Sequence, residues 1–363
     1  MKEIGQDVGP ASETDTVQDA LGRMKLLKIL YIVGITLLTL AISSWSITFN
    51  SSGITVSEVY GSIINYVFSG TIDIPEKTQY IVMNVYSPRV IMAILTGAIL
   101  AIGGCITQTI LKNPLATPYT LGVSSSASFG AGLTIILGIS ATVGSFPVMM
   151  NAFLFSLIPA AVILIVSVRK NMMATTLILI GISISYLFSA ANTLLQFFGN
   201  ADAVKAAMFW TVGDLNSALL SQIPYIFGTL VMVSILVAIL AKDINIMKMG
   251  DDTAASLGVS VKFIRTSAIV LACFSTAIVV SFVGAIGFVC LLGPQISRIC
   301  IGSDLKYLLP ASAVTGALLM VIADFIAKAA VAPIVLPVGA ITAVVGAPVL
   351  IYLLIRNKNM VVS

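Results

Sequence analysis

Histidine is missing from all 363 residues. That removes imidazole as general acid or base, as metal ligand and as haem ligand. Charge is scarce too: Asp, Glu, Lys and Arg make up 9% of the chain, against about 25% in an average soluble domain. The net charge of +4 comes with no basic cluster interleaved with aromatics, so nucleic acid is not a partner this composition supports. The four cysteines, Cys105, Cys273, Cys290 and Cys300, lie in or beside apolar runs and form no CxxC pair. They read as small buried hydrophobes, and neither a disulfide framework nor a metal site is indicated. The pattern GxxxxGK followed by Ser or Thr occurs nowhere, so the chain has no P-loop with which to hydrolyse ATP.

What the chain does have is apolar sequence. Hydrophobic residues make up 58% of it, too much for a soluble core of this length, so the class is polytopic, all-α membrane protein. Runs of about 20 mostly apolar residues are long enough to span a bilayer. Ten such runs occur, at 26–46, 89–110, 119–138, 148–168, 174–198, 222–241, 263–283, 285–301, 307–328 and 336–356. Only Gly284-Ala285-Ile286-Gly287 separates the seventh from the eighth. Residues 1–24 are polar and acidic and read as a disordered or loosely attached cytoplasmic tail, followed by a membrane domain at 25–357 and a short cytoplasmic tail at 358–363. The first run follows Arg23, Lys25 and Lys28 and is long enough to span, which argues against a cleaved signal peptide. Ten spans put both termini on one side. With that side cytoplasmic, fifteen of the nineteen Lys and Arg residues fall inside and four outside, the bias that sets membrane orientation.

Several stretches carry more than hydropathy. From Ser87 the chain reads SPRVIMAILTGAILAIGGCITQTILKNPLATPYTLGVSSSASFGAGLT: two apolar runs around a polar turn at Lys112-Asn113-Pro114, with Pro118 just after it. The orientation makes Lys112–Pro118 cytoplasmic and Arg89 extracytoplasmic. Small residues recur every four positions at Ala93, Gly97 and Ala101, and again at Gly339, Ala343 and Ala347. That spacing lets helix backbones approach closely in lipid. Ser185, Ser189, Asn192 and Gln196 share one face of the fifth run. The face either makes interhelical hydrogen bonds or lines a polar passage. Asp324 and Lys328 are four residues apart and can pair. The pair is either structural or orients an exposed Lys328 for a partner outside the membrane. Arg89 is either an interface anchor or a docking cation.

Residues 247–265, MKMGDDTAASLGVSVKFIR, are too polar to span. Asp251 and Asp252 supply an N-terminal cap and favourable dipole charges for a short helix, and Gly258 ends it. A connecting loop needs no such definition, so a helix offered to a cytoplasmic partner fits better. GAIGFVCLLGPQISRIC concentrates Gly284, Gly287, Gly293 and Pro294, the composition of a broken helix.

In fixed order, SPRVIMAILTGAILAIGGCITQTILKNPLATPYTLGVSSSASFGA, GDDTAASLGV, GAIGFVCLLGPQISR, LLPASAVTGALLMVIADFIAK and LPVGAITAVVGAPVLIYLLIR resemble the FecCD/BtuC-like permease subunits of type II ABC importers. The resemblance spans residues 87–356 and implies the following. The fold is ten helices per subunit in a plasma-membrane homodimer, with the pathway at the dimer interface. Two cytoplasmic ATPase subunits carry ATP and Mg, the permease itself holds no cofactor, and an extracytoplasmic binding protein delivers a metal chelate: an iron-siderophore, haem or cobalamin. Asp251, Asp252, Ala254, Leu257 and Gly258 match the region that couples to the ATPase. Arg89 and Lys328 match outer cations that meet the binding protein, with Lys328 where the family often has Arg. The fifth run, with Ser185, Ser189, Asn192 and Gln196, lines the path. The family commonly reads GLVxPHxxR where this chain has CLLGPQISR, so no role of that histidine transfers to Gln295. The neutral stripe does not choose among cargoes, and oxyanions remain in the set. The alternative is a secondary transporter driven by an ion gradient, for which Asp324 is the one plausible intramembrane carrier. An intramembrane enzyme ranks last, for want of His or paired membrane carboxylates.

Overall fold

The computed structural model describes residues 10–49, 53–68, 72–141, 146–169, 173–332 and 334–356. Every regular element among them is helical. Seven helical stretches are long and apolar enough to cross a membrane: Gly22–Thr48, Glu76–Ile110, Pro147–Ser167, Ala174–Phe198, Leu220–Met247, Val261–Val283 and Leu305–Ala329. Three shorter apolar helices, Val123–Leu137, Val289–Ile301 and Val338–Leu353, bring the set to the ten expected.

In chain order the helices begin with α1 (Pro10–Thr48), α2 (Val56–Phe68), α3 (Glu76–Ile81), α4 (Ser87–Ile110) and α5 (Val123–Leu137). Next come α6 (Pro147–Ser156), α7 (Ile158–Arg169), α8 (Ala174–Phe198), α9 (Ala201–Val212) and α10 (Ile223–Met247). The last five are α11 (Asp251–Ser256), α12 (Val261–Val283), α13 (Val289–Ile301), α14 (Leu305–Ala329) and α15 (Val338–Arg356). Helix α1 runs unbroken from Pro10 to Thr48, through most of the expected tail. Proline suits the first helical position. Residues 1–9 and the tail at 358–363 lie outside the described residues.

Helices α2, α3 and α9 have no counterpart among the ten runs, being too short to span. The start of α2 is nonetheless written locally. Thr55 N donates to Glu58 Oε2 at 2.7 Å and Glu58 N donates to Thr55 Oγ1 at 3.4 Å, a capping box. Asn65 then clasps the following turn through both N–H and C=O of Ile72, at 2.9 and 2.7 Å.

At the centre stands α4, buried along nearly its whole length and packed on α10, α12, α13 and α14. Its small residues explain how. A Cβ at Gly97 would lie 2.3 Å from the Gly316 carbonyl oxygen of α14, and one at Gly316 would lie 2.4 Å from Ala101 Cβ. The Ala93/Gly97/Ala101 stripe therefore forms the α4–α14 contact. The second stripe is used differently: Gly339 and Gly346 make the close approaches, against Val212 O and Phe288 Cβ, while Ala343 and Ala347 are half-buried.

The expected helix break is present at 284–288, between α12 and α13. Gly284 has φ +73°, and a Cβ there would lie 2.4 Å from Trp210 O. Pro294 sits inside α13 without ending it. Having no N–H, it leaves the carbonyl of Cys290, four residues back, without its helical donor. Gln108 Nε2 of α4 reaches that oxygen and Leu291 O, each at 3.4 Å. Gly104 makes room, since a Cβ there would come within 1.8 Å of Cys290 O.

Candidate functional site

Two polar centres lie at opposite ends of α4. At the Lys112 end, α4 closes in a Schellman motif: Asn113 N donates to Gln108 O at 3.1 Å and Lys112 N to Thr109 O at 3.4 Å. The residue forced into the left-handed region is a lysine, Lys112, with φ +48°. A non-glycine there costs about 1–2 kcal/mol. Asn113 Oδ1 accepts from Leu115 N at 2.9 Å, and Gln295 Nε2 of α13 donates to Pro114 O at 2.9 Å. The residue standing where the family often has histidine therefore holds this turn.

Helix α11 lies against the same turn. Its N-cap is Gly250, with no side-chain capping bond, which corrects the expected cap by Asp251 and Asp252. Both acids sit in the first turn, where they still favour the dipole. The Asp251 carboxylate points elsewhere: Arg265 Nη2 of α12 donates to Oδ2 at 2.7 Å and Lys112 Nζ to Oδ1 at 3.4 Å. Burial pushes this carboxyl up, but Arg265 and then Lys112 outweigh it and hold it below the ordinary aspartate range. The far end follows expectation. Gly258 has φ +84°, and Gly258 N→Ala255 O and Val259 N→Ala254 O, both 3.0 Å, form a second Schellman motif. Ala254 is fully buried in the core, while Leu257 is 62% exposed. Asp252 lies on the exposed side with it. The helix is thus pinned from beneath and presents an apolar knob, beside exposed Met249 and Leu115. Behind the turn, Lys112, Lys248 and Arg298 line one polar pocket of about 300 Å³. Burial pushes the Lys248 ammonium down.

At the other end of α4, Asp324 is fully buried. Its Oδ1 accepts from Arg89 Nε at 2.6 Å, and its Oδ2 lies 2.7 Å from Lys328 Nζ. The Lys328 contact is an ion pair by distance; the ammonium's aligned hydrogen bond goes to Ser46 Oγ of α1 at 3.0 Å. Arg89 Nη1 donates to Asn216. The Arg89 and Lys328 side chains are 6% and 10% exposed, so neither offers a free charge at the surface. Of the alternatives for Asp324 and Lys328, the geometry matches the structural pair and not an exposed Lys328; one buried carboxylate draws both cations inward, because an uncompensated charge there is costly.

The four stripe residues share α8 but converge on neither centre. Ser185 Oγ donates back to Gly181 O at 3.0 Å. Asn192 faces the glycine side of α5, its Oδ1 lying 3.2 Å from where a Cβ on Gly132 would be. Ser189 is exposed, and Gln196 is half-buried. The stripe borders an uncovered apolar face with Tyr186, Leu187, Leu194, Phe197 and Phe198.

The model of the FecCD transport family matches residues 35–356. The chain belongs to the FecCD transport family. Among relatives of this FecCD chain is one from Methanocaldococcus jannaschii assigned as an ABC transporter permease, 38% identical over 338 residues, which cover 90% of this chain and 95% of that one. The cobalamin import system permease BtuC of Halobacterium salinarum is 35% identical over 289 residues, covering 79% and 76%. A solved structure assigned to the metal-chelate type of ABC transporter, in an inward-facing conformation, superposes with a TM-score of 0.78 at 27% identity, covering 90% of this chain and 98% of that one. Sequence reasoning missed Ser46, Asn216 and Arg265. Ser46 and Asn216 have partners far away in the chain, Asn216 lying 127 positions from Arg89; Arg265 is only 14 positions from Asp251, but no helical spacing links the two across the intervening turn.

Proposed function

We propose that this chain is the permease subunit of an ATP-binding-cassette importer for a metal chelate, an iron-siderophore, haem or cobalamin. The observation that carries the reading is α11, a six-residue helix pinned by Ala254 and by the Asp251 ion pairs while it exposes Leu257. Such a helix does nothing for the chain's own packing that a loop would not do, and it suits a contact with a soluble partner. In this reading Asp251, Asp252, Ala254, Leu257 and Gly258 couple to two ATPase subunits on the cytoplasmic side, where ATP and Mg are held. The polar pocket with Lys112, Lys248 and Arg298 gives that surface a positive field for acidic groups. A second permease copy covers the exposed face of α8, so that Ser185, Ser189, Asn192 and Gln196 border the passage between the copies. An external binding protein docks at the opposite end. There Arg89 and Lys328 act through Asp324, fixing the ends of α1, α4 and α14 rather than touching the partner. The metal-chelate and cobalamin descriptions of the similar proteins support the cargo class.

The test is uptake into proteoliposomes holding the permease with its ATPase and binding protein. ATP-dependent accumulation of a metal chelate is expected, and breaking α11 by Gly258→Val should abolish it while the complex still assembles. Uptake that collapses with a protonophore while ATP is retained would sink the reading. Against a gradient-driven carrier stands Asp324 itself, whose carboxylate is held between two cations and is poorly placed to bind and release an ion.

A further inference from the structure

Between α4, α10 and α14 runs a cavity of about 870 Å³, within the range of about 300–1,000 Å³ typical of small-molecule sites. It exists because three helices meet there on small side chains, among them Ala98, Ala238, Ala241 and Ala313. Ile102, Val237 and Leu309 make the rest of its wall apolar. It is not sealed: the lining residues Ser234, Ala238 and Pro310 are exposed. They open it sideways, on the side where α10 exposes Val231, Ile235 and Ile239, an apolar face that suits hydrocarbon.

The mouth at the Lys112 end of the bundle is polar. Lys242, Asn245, Asp304 and Lys306 line it. Lys242 and Lys306 are exposed, and neither is in an ion pair found among the described residues. Lys28 adds a third cation, with its Nζ 4.9 Å from the Tyr307 ring that Lys306 also approaches at 5.7 Å. The single carboxylate is occupied: Asp304 Oδ1 accepts from Asn245 Nδ2 at 3.0 Å and from Lys306 N at 3.1 Å, capping α14.

We propose that this groove holds one anionic phospholipid, with an acyl chain between α4, α10 and α14 and its phosphate against Lys242 and Lys306. An apolar slot open to the bilayer is poor for water, and leaving it empty forfeits packing contacts. The surrounding membrane supplies a chain that fills it. Basic pockets between membrane helices on the cytoplasmic side suit anionic headgroups, and the Lys and Arg bias assigns this end to the cytoplasm. The site needs only the membrane-embedded chain, so it stands or falls separately from the transport reading.

Native mass spectrometry of the delipidated permease, titrated with phosphatidylglycerol or with phosphatidylcholine of the same chains, tests it. One phosphatidylglycerol should bind ahead of a weaker, non-saturating series, and phosphatidylcholine should show no such first site. Lys242→Ala and Lys306→Ala should each weaken that site about five-fold. Ala238→Trp, which fills the groove from its exposed rim, should remove it while the melting point holds. Ala313→Phe repeats the test from α14 should the first variant fail to fold. Equal retention of the two lipids, or a site unchanged in a variant carrying both Lys242→Ala and Lys306→Ala, overturns the proposal. So does efficient disulfide cross-linking of two copies through Ala238→Cys in a Cys300→Ser background, which would place a second chain in the groove.

Discussion

Asp324→Asn is the sharpest single perturbation. The substitution keeps the shape and removes the one negative charge between Arg89 at 2.6 Å and Lys328 at 2.7 Å. Breaking a buried pair by removing one partner costs about 3–5 kcal/mol, because the remaining charge is left uncompensated. Here two cations are left, each with a neutral partner, Asn216 for Arg89 and Ser46 for Lys328. Those partners keep the cost within that range rather than doubling it. At about 2 °C per kcal/mol, the low end for larger domains, the midpoint of thermal unfolding in detergent should fall by about 6–10 °C. Unfolding of such a protein is commonly irreversible, so all variants are compared at one heating rate. The control decides the mechanism. Arg89→Met, Asp324→Leu and Lys328→Met together remove every charge and should melt above Asp324→Asn, since replacing a whole buried ion cluster by apolar residues is often neutral. A fall of under about 2 °C for Asp324→Asn, less than about one kcal/mol on the same scale, refutes the reasoning. So does a triple variant that melts lower than the single one.

Three further outcomes follow from the other end of α4. Lys112→Gly removes a left-handed lysine worth about 1–2 kcal/mol of strain and an exposed ion pair worth about 0–1. It should melt no lower than wild type, yet stimulation of the partner ATPase should fall; a clear loss of stability would show that the lysine is not strained. The Asp251 carboxyl is held below the ordinary value of 3.8, so its contribution is present above that value and lost as pH falls through the lower, folded one. Amides of residues 251–258, corrected for intrinsic exchange rate, should lose protection in that acid window. Asp251→Asn should show the loosened pattern already at neutral pH; protection equal to wild type would mean that the ion pairs do not hold the helix. Gly104→Ala puts a Cβ within 1.8 Å of a backbone oxygen and should destabilise by more than the about 1–3 kcal/mol usual for overpacking; a folded variant with an unchanged melting point would place α13 farther from α4.

The ten apolar helices were legible because a span must be long and apolar, whatever its neighbours are. Gly284 and Pro294 announced the break before α13 for a similar reason: glycine and proline change the backbone locally. Asp324 and Lys328 could be paired from sequence because four residues make one helical step, whereas Arg89, 235 residues from Asp324, could only be placed near the same end of the membrane. That is why the choice between a structural and a docking role for the two cations stayed open until the fold placed both against one carboxylate. The reading of Asp251 as a cap failed differently. Aspartate suits a cap and an ion pair equally well, and Arg265 and Lys112 arrive from other helices to decide between them. Composition did not single out α4 as the central helix either, since α10 is as apolar and lies at the rim. The cue was the density of small residues at Gly97, Ala101 and Gly104, which only a helix packed on several sides requires.

That central helix joins the two ends of the molecule. With 24 residues and a rise of about 1.5 Å per residue, α4 spans about 36 Å. One end is tied to α14 through Asp324 and the other to α11 and α12 through Asp251. Between the two, the Gly97–Gly316 contact brings the α4 and α14 backbones together, so neither helix can rotate without driving a side chain into the other. Packed helices of this kind move by small rigid shifts, because close-packed interfaces do not deform continuously. In the proposed function, a displacement of α11 by an ATPase reaches α4 through the Lys112–Asp251 contact, and α4 carries it toward Arg89 and the α14 end that holds Lys328. Docking and coupling would then act on one rigid unit. In that reading the buried cluster of Arg89, Asp324 and Lys328 belongs to the joint itself, locked by the one carboxylate that both cations face.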